Sequence, residues 1–344
     1  MRTLSITLAV PLLACGIVAF GRVAPKLIKA ANQPQQQSSQ PSADVTTDIQ
    51  KLSSRNAIER AEAACALGNQ HAIVAIPELI KLLGDDAAIE QPVCGEKNSW
   101  KKDVVSKTTP GEMAAIALTR LAPQSVEPLI VALKSDSIPT RANAAFALGL
   151  IHDDRNVKPL IATLNDTEAR VREKAAWSLG LVGDERAVEP LAARLKDSDW
   201  HVRSQAAWAL GLKGDDRSVD GLVSALSDEN ARVQSQAAWA LGLKGNSRAV
   251  EPLTVALANG PEEVRCQAAW ALGLKGDSRA VMPLINALKD SDAEVRSQAA
   301  WALGLKGDSR AINALRVATN DADAHVRKQA KWALQLRGMQ SDQQ

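Results

Sequence analysis

From Thr46 onward the apolar positions fall into two short helical patterns that alternate along the chain. The first, as in DSRAVMPLINALKD from Asp277, sets Val281, Leu284, Ile285 and Leu288 at i, i+3, i+4 and i+7, one stripe of a helix. The second, as in EVRSQAAWALGLKGD from Glu294, is rich in alanine and centred on a tryptophan. Gly, Asp and Ser between the patterns supply stops and N-caps. Trp208, Trp239, Trp270, Trp301 and Trp332 fall 31 residues apart, and the same step backward reaches Trp177 and then Phe146. A fixed period of this length means stacked helical units, each burying its apolar face against its neighbours. The fold class is therefore all-α, a right-handed α-solenoid of helix pairs.

Nine helix pairs can be counted. Residues 46–122 hold two degenerate units, and residues 123–338 hold seven regular ones. The second unit carries an insertion, residues 85–109, with Cys94, Trp100 and the basic pair Lys101–Lys102. Loops that interrupt a regular array often carry function. A polar tail, 339–344, closes the chain.

Residues 1–30 read as an export segment: Arg2 opens it, and Leu4 to Phe20 is an almost unbroken apolar run. Three fates fit it. One is a cleaved secretory signal, with a small-residue site near Ala30. Another is a lipobox, Leu12–Leu13–Ala14–Cys15, that would lipidate Cys15. The third is an uncleaved anchor, since the run approaches the roughly 20 residues that span a bilayer. All three carry the body of the protein across a membrane, to a periplasmic or cell-envelope location. Residues 31–45 form a Gln/Ser/Pro linker with little to bury, expected to be a disordered tether through Ser42.

Composition narrows the functions. Forty-one basic residues against 39 acidic ones give a formal charge of +2, so no field recruits nucleic acid. Tyr is absent, Phe occurs twice and Trp eight times, six of them in the 31-residue column. Cys65, Cys94 and Cys266 are scattered without C-x-x-C spacing, which argues against a metal set; a Cys65–Cys94 bridge is the one pairing considered. No catalytic motif appears, and no metal or other cofactor is implied. His201 and His325 share a column but lie four units apart, about 40 Å at the spacing of packed helices, too far to share a metal.

The pattern V-R-x-x-A-A-x-A-L-G-x-x-G-D-x-R-A-V-x-P-L resembles the HEAT-like repeats of the phycobilin lyase type. Val295, Arg296, Ala299, Ala300, Ala302, Leu303, Gly304, Gly307, Asp308, Arg310, Ala311 and Ile312 carry it. The resemblance implies the fold and leaves the function open, because such repeats serve enzymes, lyase-like chaperones and binding scaffolds alike. Hydroxylases built on these repeats hold iron through His–Glu pairs, and no His here is followed by Glu. The resemblance also implies that second helices line a concave surface, and that the Arg column (Arg141, Arg172, Arg203, Arg265, Arg296, Arg327) is half of an Asp–Arg ladder, broken at Gln234. Asp166, Asp197, Asp228, Asp290 and Asp321, with Asn259 in their column, are read as helix caps.

On a wheel with Val295 at zero, Ala299, Ala302 and Leu303 cluster at about 40°, 340° and 80°, the face toward the partner helix. Ser297, Gln298, Trp301 and Leu305 fall at about 200–300°, on the other side. Two readings follow. Each Trp either fills the gap to the next unit, or joins an exposed ladder that binds a ligand. The ladder would comprise Phe146, Trp177, Trp208, Trp239, Trp270, Trp301 and Trp332 with Leu212, Leu243, Leu274 and Leu305. Contiguous exposed apolar surface marks interaction sites. The function expected is a non-enzymatic scaffold for a protein or peptide partner. The alternatives are a glycan-binding solenoid and a lyase-like assembly factor.

Overall fold

A computed structural model describes residues 42–90 and 108–336. The export segment with Cys15, and Cys94, Trp100, Lys101 and Lys102 of the insertion, lie outside the described residues. Among the described residues there are eighteen α-helices and one isolated β-bridge. They form an α-solenoid of short first helices and longer second helices, and no described helix is long and apolar enough to cross a membrane. Two compact units result.

Residues 42–218 contain α1 (Ala43–Lys51), α2 (Ala57–Asn69), α3 (Ile76–Leu82), α4 (Pro110–Arg120), α5 (Val126–Ala132), α6 (Ile138–Leu150), α7 (Val157–Thr163), α8 (Ala169–Val182), α9 (Val188–Arg194) and α10 (Trp200–Lys213). Residues 219–336 contain α11 (Val219–Ala225), α12 (Ala231–Lys244), α13 (Val250–Asn259), α14 (Glu262–Lys275), α15 (Val281–Ala287), α16 (Ala293–Lys306), α17 (Ile312–Ala318) and α18 (Ala324–Gln335). Even-numbered helices are the second members of each pair.

α1 starts upstream of Thr46, because the Ser42 hydroxyl accepts the Val45 N–H and caps the helix. Ser42 is thus a cap and no part of the tether. Later first helices are entered through a 3-10 turn whose leading Asp accepts a backbone N–H two residues on, as Asp277 does from Arg279. Second helices in the regular stretch are capped by Asp199, Asn230, Asp292 and Asp323. α8, α10, α12, α14 and α16 end at glycine, and Gly276 and Gly307 take left-handed backbone (φ 68° and 61°) that a side chain would strain.

The core of each pair is the stripe predicted from the pattern. Val281 and Leu284 of α15 meet Val295, Ala299, Ala302 and Leu303 of α16, and all six are buried. Small side chains then let successive second helices pack directly on one another within each unit. The insertion leaves and re-enters at one point: Ile89 and Thr108 exchange backbone hydrogen bonds of 2.8 and 3.1 Å, and buried Ile89 packs on Ala61.

Candidate binding face

Second helices in residues 219–336 place Trp239, Trp270, Trp301 and Trp332 in one row. The first three are only 8, 6 and 8% exposed. The indoles of Trp270, Trp301 and Trp332 lie across the glycine of the preceding second helix. A Cβ added at Gly242 would sit 2.5 Å from Trp270 Cζ3; at Gly273, 3.0 Å from Trp301 Cζ3; at Gly304, 2.9 Å from Trp332 Cζ3. The sequence W-A-L-G is therefore a complementary pair of surfaces, in which the Trp of one repeat needs the Gly of the one before. Ser297 and Gln298, expected with Trp301 on an open face, are buried as well. The two-sided wheel failed here because a second helix has three packed faces: its partner and two sister helices.

What the row leaves open is leucine. Leu243, Leu274, Leu305 and Leu336 are 44, 41, 41 and 55% exposed, one turn beyond each Trp. Within 42–218 the same column is less regular. Phe146 and Trp177 stack at 5.1 Å between ring centroids, and both are half-buried, as is Trp208, whose ring edge covers Gly180. Leu150 and Leu181 are half-buried there, and Leu212 is exposed. Cys65, in the aromatic column of α2, is buried and disulfide-bonded.

Three polar ladders tie repeat to repeat at other heights. In the first, Arg141, Arg172, Arg265 and Arg296 each grip the Asp 25 residues later (Asp166, Asp197, Asp290, Asp321) through two hydrogen bonds of 2.7–2.9 Å. These carboxylates do not cap helices, contrary to the sequence expectation. Each accepts the N–H of the residue two positions on, and of those residues Asp199, Asp292 and Asp323 cap their helices through the side chain. A single sequence column could not separate cap from ladder, since both ask for Asp just before a helix. Burial is the strongest single effect on Asp166 and Asp290 and opposes their ionisation, yet the Arg hydrogen bonds, the backbone N–H bonds and the arginine charges together hold both carboxyls below the ordinary value.

The second ladder was not foreseen, although its 31-residue recurrence is plain. Lys275 Nζ donates to the Gly245 carbonyl, and Lys306 Nζ to that of Asp277, each reaching back to the turn of the preceding repeat. Burial pushes both ammonium pKa values down. The third runs along the 3-10 turns: Arg279 pairs with Asp277 and also donates to Ser247 O. The Arg279 hydrogen bond lowers the Asp277 pKa to about 2.

No cluster of three His, Cys, Asp or Glu that could hold a metal occurs among the described residues. His201, which is exposed, stacks on half-buried Trp200 and contacts half-buried Asp199. The arrangement offers packed indoles, ion-pair ladders and an exposed leucine stripe.

Known proteins place this architecture. A search of curated protein sequences finds no match. Among solved structures, the Escherichia coli protein YibA is similar at 21% identity and TM-score 0.57, over 89% of this chain and all of that one. The Kap95:Nup1 complex contains a chain similar at 16% identity and TM-score 0.61, over 86% of this chain and 46% of that one. Human deoxyhypusine hydroxylase aligns at 24% identity with a TM-score of 0.34, over 80% of this chain and all of that one. A model described as PBS lyase HEAT-like repeat matches residues 59–85. The model for HEAT repeats matches residues 126–200, 188–262 and 250–335, more than half of the chain, and the chain belongs to the HEAT-repeat family.

Proposed function

We propose that the protein is a non-enzymatic scaffold that binds a protein or peptide partner on its second-helix face, and that the leucine stripe of residues 219–336 is the contact surface. The observation that carries this reading is the contrast within that row. Trp239, Trp270 and Trp301 are packed away, while Leu243, Leu274, Leu305 and Leu336 remain exposed in register. A soluble protein gains nothing in stability from aligned exposed leucines, and contiguous apolar surface of this kind is typical of interaction sites. The HEAT-repeat fold supports a scaffold role, and the similar Kap95 chain is seen in complex with Nup1. Glycan binding is less favoured, because sugar stacking needs open indole faces and three of the four in this unit are covered.

The test is retention of a partner from envelope extract by the purified chain and by the triple variant Leu243→Ser, Leu274→Ser, Leu305→Ser. Loss of a band retained by the parent, at unchanged melting temperature, supports the reading. Undiminished retention removes the stripe from consideration. We further propose export through the apolar run from Leu4 to Phe20. Cys15→Ser releases a lipidated protein from membranes and leaves the other two fates unchanged.

A further inference from the structure

The Arg–Asp ladder lacks one rung in residues 219–336, and it lacks it on both sides. Where Arg265 and Arg296 hold Asp290 and Asp321, position 234 is Gln and its partner position, 25 residues on, is Asn259. Gln234 keeps the local half of the arginine's work, since its Nε2 donates to the Asp228 carbonyl as Arg296 does to that of Asp290. No hydrogen bond or ion pair crosses from it to Asn259. Removing both partners together avoids stranding a half-buried charge, so the tie is lost without a penalty left behind.

Two further departures sit at the same joint. α13 runs ten residues to Asn259, whereas α11, α15 and α17 have seven. Its connection to α14 passes through Gly260 and Pro261, and the Pro261 N-cap makes no side-chain hydrogen bond, unlike Asp292 at α16. The inner packing is intact, because Trp270 still covers Gly242.

We infer that this joint, between α12 and the α13–α14 pair, is a compliant hinge built into residues 219–336. The indole on Gly242 is its pivot, and the edge carrying the turns between first and second helices opens there most readily. A stack in which neighbours are bound by both packing and a bidentate ion pair resists bending at every rung. Omitting the ion pair at one rung concentrates the motion there.

Hydrogen exchange on the full-length chain tests the inference. Amides 262–266, at the start of α14, should exchange about tenfold faster than 293–297, their equivalents in α16. Gln234→Arg with Asn259→Asp should restore the rung and slow 262–266 to the rate of 293–297. Conversely, Arg265→Gln with Asp290→Asn should raise exchange at 293–297, which keeps the test alive if the restored variant folds poorly. Equal rates in the parent, or rates that neither pair of substitutions moves, overturn the hinge.

Discussion

The two units write one repeat with different discipline. In residues 219–336 Trp270, Trp301 and Trp332 each lie on the glycine of the second helix before them, and Trp239, Trp270 and Trp301 are buried. In residues 42–218 the aromatic column reads Cys65, Ile116, Phe146, Trp177 and Trp208, and the glycine column includes positions that meet no indole. Gly68 faces the Ala117 backbone, and Gly149 faces Ser178, whose hydroxyl donates to the Ala145 carbonyl. Trp177 therefore stacks on Phe146 and stays half-buried. A glycine on the preceding helix gives the indole a floor without burying it outright, since Trp208 on Gly180 and Trp332 on Gly304 stay half-buried while Trp270 and Trp301 are buried. The residue alone does not decide its role.

The comparison is broken most strongly by substitutions at the pivot. Trp270→Ala should lower stability by about 3–5 kcal/mol, a fully packed aromatic lost, while Trp177→Ala should lose clearly less; thermal and urea melts of both variants check this. Gly242→Ala should be destabilising by about 1–3 kcal/mol, since the new methyl meets the Trp270 ring and the Ala271 methyl. Combining it with Trp270→Ala should give less than the sum of the two losses, because both act on one contact.

Next in size is the ladder. Arg296→Ala strands the Asp321 carboxylate, which is only partly exposed, and should cost about 1–3 kcal/mol. Arg296→Gln with Asp321→Asn, the pair that nature wrote at 234 and 259, should be much milder.

Acid provides a smaller, collective effect. Asp166, Asp197, Asp290 and Asp321 have folded pKa values below the ordinary value, and Asp277 lies at about 2. Groups with depressed folded pKa values contribute stability that is complete above the unfolded value of about 3.9 and is lost as pH falls through the folded one. Melting temperature should therefore be insensitive to these carboxylates near neutrality and decline from about pH 4 toward pH 2. The decline should be shallower in Arg296→Gln with Asp321→Asn.

Much of the fold was legible because a 31-residue register repeats both the stripe Val281, Leu284, Ile285 and Leu288 and the W-A-L-G sentence. The candidate face was only half legible. A helical wheel places Trp301 and Leu305 together, and it cannot tell that the sister helix reaches Trp301 and stops short of Leu305. The side chain at 301 extends sideways to Gly273, whereas Leu305 lies a turn further along. The Asp column misled for a related reason. Asp290 and Asp292 sit two residues apart before one helix, and only their contacts reveal that the first holds Arg265 and the second caps. Lys275 and Lys306 sit 31 residues apart, but only their contacts reveal the reach back to the preceding turn.

The central claim is a division of labour in one row: tryptophans hold the stack, and leucines meet the partner. It is tested most directly by measuring melting temperature and partner retention side by side on Trp239→Ala and on the triple variant Leu243→Ser, Leu274→Ser, Leu305→Ser. The account predicts a large fall in melting temperature for the first, and an unchanged melting temperature with lost retention for the second. A stable Trp239→Ala, or a leucine variant that melts early or keeps its partner, would contradict it.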